Sequence, residues 1–104
     1  MYVDDCIEGT VRIAESQIHE PINLGSSELV TINQLVDLAE EFAGIRLQRN
    51  YNLSAPRGVN GRNSDNTVIR KYLGWEPSIS LRQGLLRTFD WIGMEIQEKY
   101  ATVR

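Results

Sequence analysis

The stretch RGVNGRNSDNTVIRK at residues 57–71 gathers residue types suited to holding an anion. Arg62 offers a planar fork of donors that matches phosphate or carboxylate oxygens two at a time. It stands between Gly61 and the run Asn63, Ser64, Asp65, Asn66, whose side chains favour turns and helix starts. Orphan backbone N–H groups at a helix start, with a guanidinium beside them, make a phosphate clamp, and Arg57 can screen the same charge. The same residues equally fit an arginine that faces solvent or pairs with Asp65. Pattern alone leaves both readings open.

Other chemistry is scarce. His19 is the one histidine, it precedes a Glu-Pro pair, and no second ligand stands at helical spacing from it, so it reads as a surface or turn residue. Asp4 and Asp5 are adjacent and cannot face one point as paired catalytic carboxylates do; they read as the acidic start of a helix. Cys6, the one cysteine, reads as a small buried core residue, and alone it forms neither an internal disulfide nor a zinc cluster. Neither a phosphate loop of the GxxxxGK type nor a GxGxxG turn occurs. No metal site and no resident cofactor are therefore expected in this chain.

At 104 residues, with 41% hydrophobic residues, three prolines and eight glycines, the composition is that of one soluble domain with a modest core. There is neither an apolar run near 18 residues nor a basic-then-apolar start, so no membrane span or signal peptide is expected and cytoplasmic residence is the default. The net charge of −3 is unevenly spread. Residues 1–45 carry nine acidic groups and one basic, residues 46–74 one acidic and six basic, and residues 75–104 four of each. A nucleic-acid binder would show a broader basic face interleaved with aromatics, so a small anionic ligand is the better expectation for the positive middle.

Several elements must position these residues. Asp4 can cap a helix near 5–15, with Ile7, Val11 and Ala14 on one face. PINLG at 21–25 reads as a short strand ending at glycine. The clearest local signal is VTINQLVDLAEEFAG at 30–44: Thr31 and Gln34 form a capping box, Val30 and Leu35 a hydrophobic staple, Ile32, Leu35, Val36, Ala39 and Ala43 a buried stripe, and Gly44 the stop. Alternation of Ile45, Leu47, Arg49 and Tyr51 with Arg46, Gln48 and Asn50 predicts a second strand. A loop over about 52–63 leads to a helix near 65–73 that ends before Gly74. Ser80 and Gln83 form another capping box, opening a helix over about 81–98, and Trp75 fills the core or hinge before it.

The succession YVDDCIEG, PINLGSSELVTINQLVDLAEEFAG, GVNGRNSDN and IRKYLGWEPSISLRQGLLRTFDWI closely resembles the carboxyl-terminal portion of the GDP-mannose 3,5-epimerase branch of the extended short-chain dehydrogenase/reductases, from residue 2 to about residue 98. LGWEP followed by SLxxGLxxTxxWI is widely shared among nucleotide-sugar epimerases and dehydratases, whereas GRNSDN is more particular to this branch. The resemblance implies an α/β fold, with a doubly wound NAD-binding sheet joined to a smaller substrate domain. In that scheme residues 1–104 are a small, mainly helical substrate-binding portion with short strands, and the NAD-binding domain is largely absent.

The resemblance also assigns roles. Arg62 matches the arginine that contacts the sugar nucleotide's diphosphate, and Asn63, Ser64 and Asn60 complete the substrate-binding set, Asn60 standing where close relatives carry arginine. Asn23, Gly25, Asp65 and Arg57 are supporting residues. NAD would serve the parent enzyme, whose tyrosine and lysine pair has no counterpart here: none of the four tyrosines has a lysine four residues on. The expectation is a substrate-binding piece of a GDP-mannose 3,5-epimerase-like enzyme, without epimerase activity of its own. The alternatives are a non-catalytic structural or interaction module from a truncated gene, self-associating through surface normally covered, and part of a nucleotide-sugar 4,6-dehydratase.

Overall fold

The computed structural model describes residues 1–101. Among them four helices follow in chain order: α1 Val3–Ala14, α2 Ile32–Ala43, α3 Thr67–Leu73 and α4 Leu81–Ala101. Local chemistry accounts for most of their ends. The Thr31 hydroxyl accepts from the Gln34 N–H at 3.0 Å, and Gln34 Oε1 accepts from the Thr31 N–H at 2.8 Å, closing the capping box of α2. Gly44 stops that helix at φ 66°, a left-handed conformation that costs glycine little. Ser80 and Gln83 make the same reciprocal pair at 3.2 Å each and open α4, which runs on to Ala101.

The first helix starts differently from expectation. Its N-cap is Tyr2, which makes no side-chain cap, and Asp4 lies within the first turn, in an exposed pair with Arg87 at 3.8 Å. Asp5 is turned inward instead. It is only 3% exposed, and its Oδ2 accepts from the backbone N–H groups of Ser78 at 3.0 Å and Ile79 at 2.8 Å. One carboxylate thereby ties α1 to the segment that leads into α4. Cys6, beside it, is half-buried rather than part of a closed core.

The expected strands are absent among the described residues, which overturns the α/β expectation in favour of helices joined by extended segments. Alternation supplies a two-sided pattern, but a ladder needs a second backbone to receive its hydrogen bonds. Residues 45–51 spend their side chains on α2 instead. Arg49 bonds Asp37 at 2.5 Å and Glu40 at 3.2 Å, and the Tyr51 hydroxyl donates to Asn33 Oδ1 at 3.1 Å, so the segment lies along a helix. The 21–25 segment likewise gains single ties rather than a ladder, described below.

One close approach lies on α1. A Cβ added at Gly9 would stand 2.5 Å from a Leu24 methyl and 2.9 Å from the Trp75 ring, so three elements meet there only because the residue is glycine. The Arg12 guanidinium lies 5.4 Å from the centre of the same indole. A second contact joins α2 to α4, where the Phe42 and Phe89 rings meet edge to face at 6.1 Å and Arg82 bonds Glu41. The stripe expected on α2 is only partly covered: Leu35, Val36 and Ala39 are half-buried, Ile32 is 74% exposed, and no residue of that helix is fully buried.

Ile69 is the one fully buried apolar side chain among the described residues. The radius of gyration is 17.7 Å, against about 13 Å for a compact domain of this length. The accessible surface is 8662 Å², against about 6,000 Å² for a folded monomer of this mass. Hydrogen-bonded ties between segments therefore carry much of the arrangement. Asp5→Ala, which strands two backbone donors, is expected to lower stability by about 1.5–3 kcal/mol in urea unfolding; an unchanged midpoint would show that the tie is dispensable.

Candidate functional site

A groove of about 470 Å³ runs beside the loop before α3. Two extended segments wall it: Asn23, Leu24, Gly25 and Ser26 on one side, and Arg62, Asn63 and Ser64 on the other, with Met1 and Glu28 at its margin. The walls are joined by backbone and side chain. The Ser64 N–H donates to the Ser26 carbonyl at 2.8 Å, and Asn63 Nδ2 donates to the Ser27 carbonyl at 3.0 Å. Gly25 allows the close approach, since a Cβ there would stand 3.0 Å from that of Ser64.

Asn66 closes the base of this arrangement and is 4% exposed. Its Nδ2 donates to the Gly25 carbonyl at 3.0 Å and to Glu76 Oε2 at 3.3 Å, while its Oδ1 accepts from the Ser64 hydroxyl at 2.7 Å. A single buried amide thus binds both groove walls and the segment after α3. Sequence reasoning counted Asn66 only as one more turn-favouring residue. An asparagine immediately before a helix was the available signal, and it pointed to local capping, whereas the side chain makes no cap and reaches across the chain.

Of the residues expected to bind substrate, Arg62, Asn63 and Ser64 share the groove, and the supporting Asn23 and Gly25 share it with them. Asn60, Asp65 and Arg57 do not line it. Arg62 is exposed and makes no hydrogen bond or ion pair among the described residues, so the solvent-facing alternative describes its present state and pairing with Asp65 does not. Asp65 is otherwise engaged: its Oδ1 accepts from the Thr67 N–H at 3.0 Å and the Thr67 hydroxyl at 2.6 Å. Helix α3 starts at Thr67 rather than near residue 65, and its first amide already faces the Asp65 carboxylate. Among the described residues Arg62 is the one arginine or lysine side chain lining the groove.

The bonds from Thr67 hold the Asp65 carboxyl below its ordinary pKa of 3.8. A depressed carboxylate contributes stability that is complete above its unfolded pKa and is lost as pH falls through the lower, folded value. The Thr67 amide resonance is therefore expected to titrate with a midpoint below pH 3.8. A midpoint at or above 3.8 would contradict the Asp65–Thr67 bonds.

Among the described residues no group of acidic, histidine or cysteine side chains is placed to hold a metal, and no helix is long and apolar enough to cross a membrane.

No protein-family model matches the chain. It is 38% identical over 100 residues to GDP-mannose 3,5-epimerase of Arabidopsis thaliana, covering 96% of this chain and 26% of that protein. It is 39% identical over 98 residues to GDP-mannose 3,5-epimerase 1 of Oryza sativa subsp. japonica, covering 94% and 26% respectively. A UDP-glucuronate 4-epimerase of Thermodesulfobacterium geofontis (strain OPF15) is 34% identical over 91 residues, which are 86% of this chain and 28% of that enzyme. By sequence, the chain is similar to a stretch of the GDP-mannose 3,5-epimerases and of other nucleotide-sugar epimerases, and it spans about a quarter of their length.

Proposed function

We propose that this chain supplies part of the substrate-binding surface of a nucleotide-sugar epimerase that acts on GDP-mannose or a close analogue, with Arg62 contacting the diphosphate. The observation that carries the reading is an arginine without a protein partner on the wall of a groove, beside Asn63 and Ser64, whose side chains are held by their neighbours. An unpaired guanidinium needs no bond broken before it meets an anion, and its fork suits two phosphate oxygens. Cytoplasmic residence accompanies the reading.

The same energetics limit the role. A charge-assisted hydrogen bond contributes about 1.5–3 kcal/mol net, whereas micromolar affinity requires about 8 kcal/mol. Arg62 orients a diphosphate more than it retains one. NAD would supply the transient oxidation of the sugar in the complete enzyme. The residues present do not fit that cofactor, for they include neither a glycine-rich phosphate loop nor a tyrosine with a lysine four residues on. No hydride or proton transfer is therefore placed on this chain, and it is expected not to turn over GDP-mannose by itself.

Titration of the chain with GDP-mannose, followed by amide chemical shifts, is expected to give saturable changes at Gly25, Ser26 and residues 62–64. Arg62→Ala should weaken the response about tenfold or more, the loss of one charge-assisted contact. A response elsewhere, or one indifferent to Arg62→Ala, would contradict the assignment.

A second reading rests on the open surface. Val3, Ile7 and Val11 of α1 are 56%, 58% and 47% exposed, and Trp91, Ile92 and Ile96 on the far part of α4 are comparably bare. Such faces favour association with another polypeptide, including a second copy of this chain. Sedimentation that depends on concentration and ignores sugar nucleotides would favour it; a constant monomer mass would remove it.

A further inference from the structure

Glu28 lines the Arg62 groove and also an adjoining apolar cleft of about 320 Å³, whose walls include Tyr2, Val30, Leu81 and Leu85. Its side chain is fixed at that junction. Oε1 accepts from the Leu81 N–H, the first of α4, at 2.8 Å, and the Glu28 N–H donates to the Ser26 hydroxyl at 3.1 Å. Oε2 has no hydrogen-bond or ion-pair partner among the described residues. One groove thus presents an unpaired cation together with one unused carboxylate oxygen, a pairing that bare phosphate does not match because a carboxylate repels it. A ligand that brings hydroxyl donors alongside its anionic group satisfies both.

Building on the diphosphate reading of Arg62, we propose that Glu28 is a specificity-determining residue that accepts from hydroxyls of the hexose in a nucleotide sugar, so that the groove distinguishes a sugar diphosphate from a bare one. Arg62 takes the negative end and Glu28 Oε2 the donor end of the same ligand. No covalent step is involved. Glu28→Gln tests the charge with little change of shape, because the amide oxygen can still accept from the Leu81 N–H while the free acceptor becomes a donor.

Inorganic pyrophosphate, GDP and GDP-mannose are the probes, titrated into the chain and its Arg62→Ala and Glu28→Gln variants, each first checked for unchanged helicity by circular dichroism. Glu28→Gln is expected to weaken GDP-mannose about tenfold while leaving pyrophosphate and GDP as tight as before or tighter. Equal weakening of all three would make Glu28 a mere brace of α4, and weakening of GDP as much as GDP-mannose would place the contact on the guanosine, base or ribose; either overturns the proposal. Failure of the underlying reading looks different: Arg62→Ala then leaves all three ligands unaffected, or none of them binds the parent chain. Loss of helicity in Glu28→Gln would instead be followed by Glu28→Asp, which keeps the charge and must retain the preference for GDP-mannose over pyrophosphate if the proposal holds.

Discussion

The buried side-chain amide of Asn66 is the interaction on which the candidate site depends. With about one group's worth of volume it satisfies a backbone carbonyl, a hydroxyl and a carboxylate from three separate stretches of chain. Few residue types can do this. A carboxylate there could not donate to the Gly25 carbonyl when ionised, and an apolar side chain would leave Gly25 and Ser64 without partners in a nearly water-free position, where each unmet group costs about 1–3 kcal/mol. The groove exists because two extended segments are held a fixed distance apart at this point.

That dependence follows from how little apolar surface is buried. A core of the usual size would position loops by packing, and local polar ties would only refine them. Here Ile69 is the fully buried apolar side chain among the described residues, and long-range order passes through Asp5 to the 78–79 amides, through Asn66 to Gly25 and Glu76, and through Glu28 to Leu81. The ties of Asp5, of Asn66 to Gly25 and of Glu28 join segments more than 40 positions apart, each through a polar side chain meeting backbone, whereas Asn66 meets Glu76 side chain to side chain. The result is an extended molecule, 52 Å in its longest dimension, with sizeable apolar faces on α1 and the far part of α4 left open.

What was legible in the sequence divides along the same line. The capping boxes at Thr31–Gln34 and Ser80–Gln83 and the glycine stops at 44 and 74 are encoded by neighbours, and they stand where the residues put them. The strands were misread because alternation at 45–51 specifies two faces without naming a partner, and Arg49 and Tyr51 found theirs on α2. Asp5 and Asn66 carried the right local signals for helix starts, yet their bonds run to residues 73 and 41 positions away, which no local pattern encodes. The grouping of Arg62 with Asn63, Ser64, Asn23 and Gly25 was reachable only through family resemblance, since nothing in spacing alone brings 23–25 to 62–64.

The most direct measurement of this account is hydrogen exchange and amide chemical shift in Asn66→Leu, with and without GDP-mannose. If the amide holds the groove together, the Ser64 N–H loses its protection, the resonances of Gly25, Ser26 and Arg62 move, and the saturable response to GDP-mannose disappears while the α2–α4 contact around Phe42 and Phe89 is unchanged. Retained protection at Ser64 together with an undiminished ligand response would contradict it.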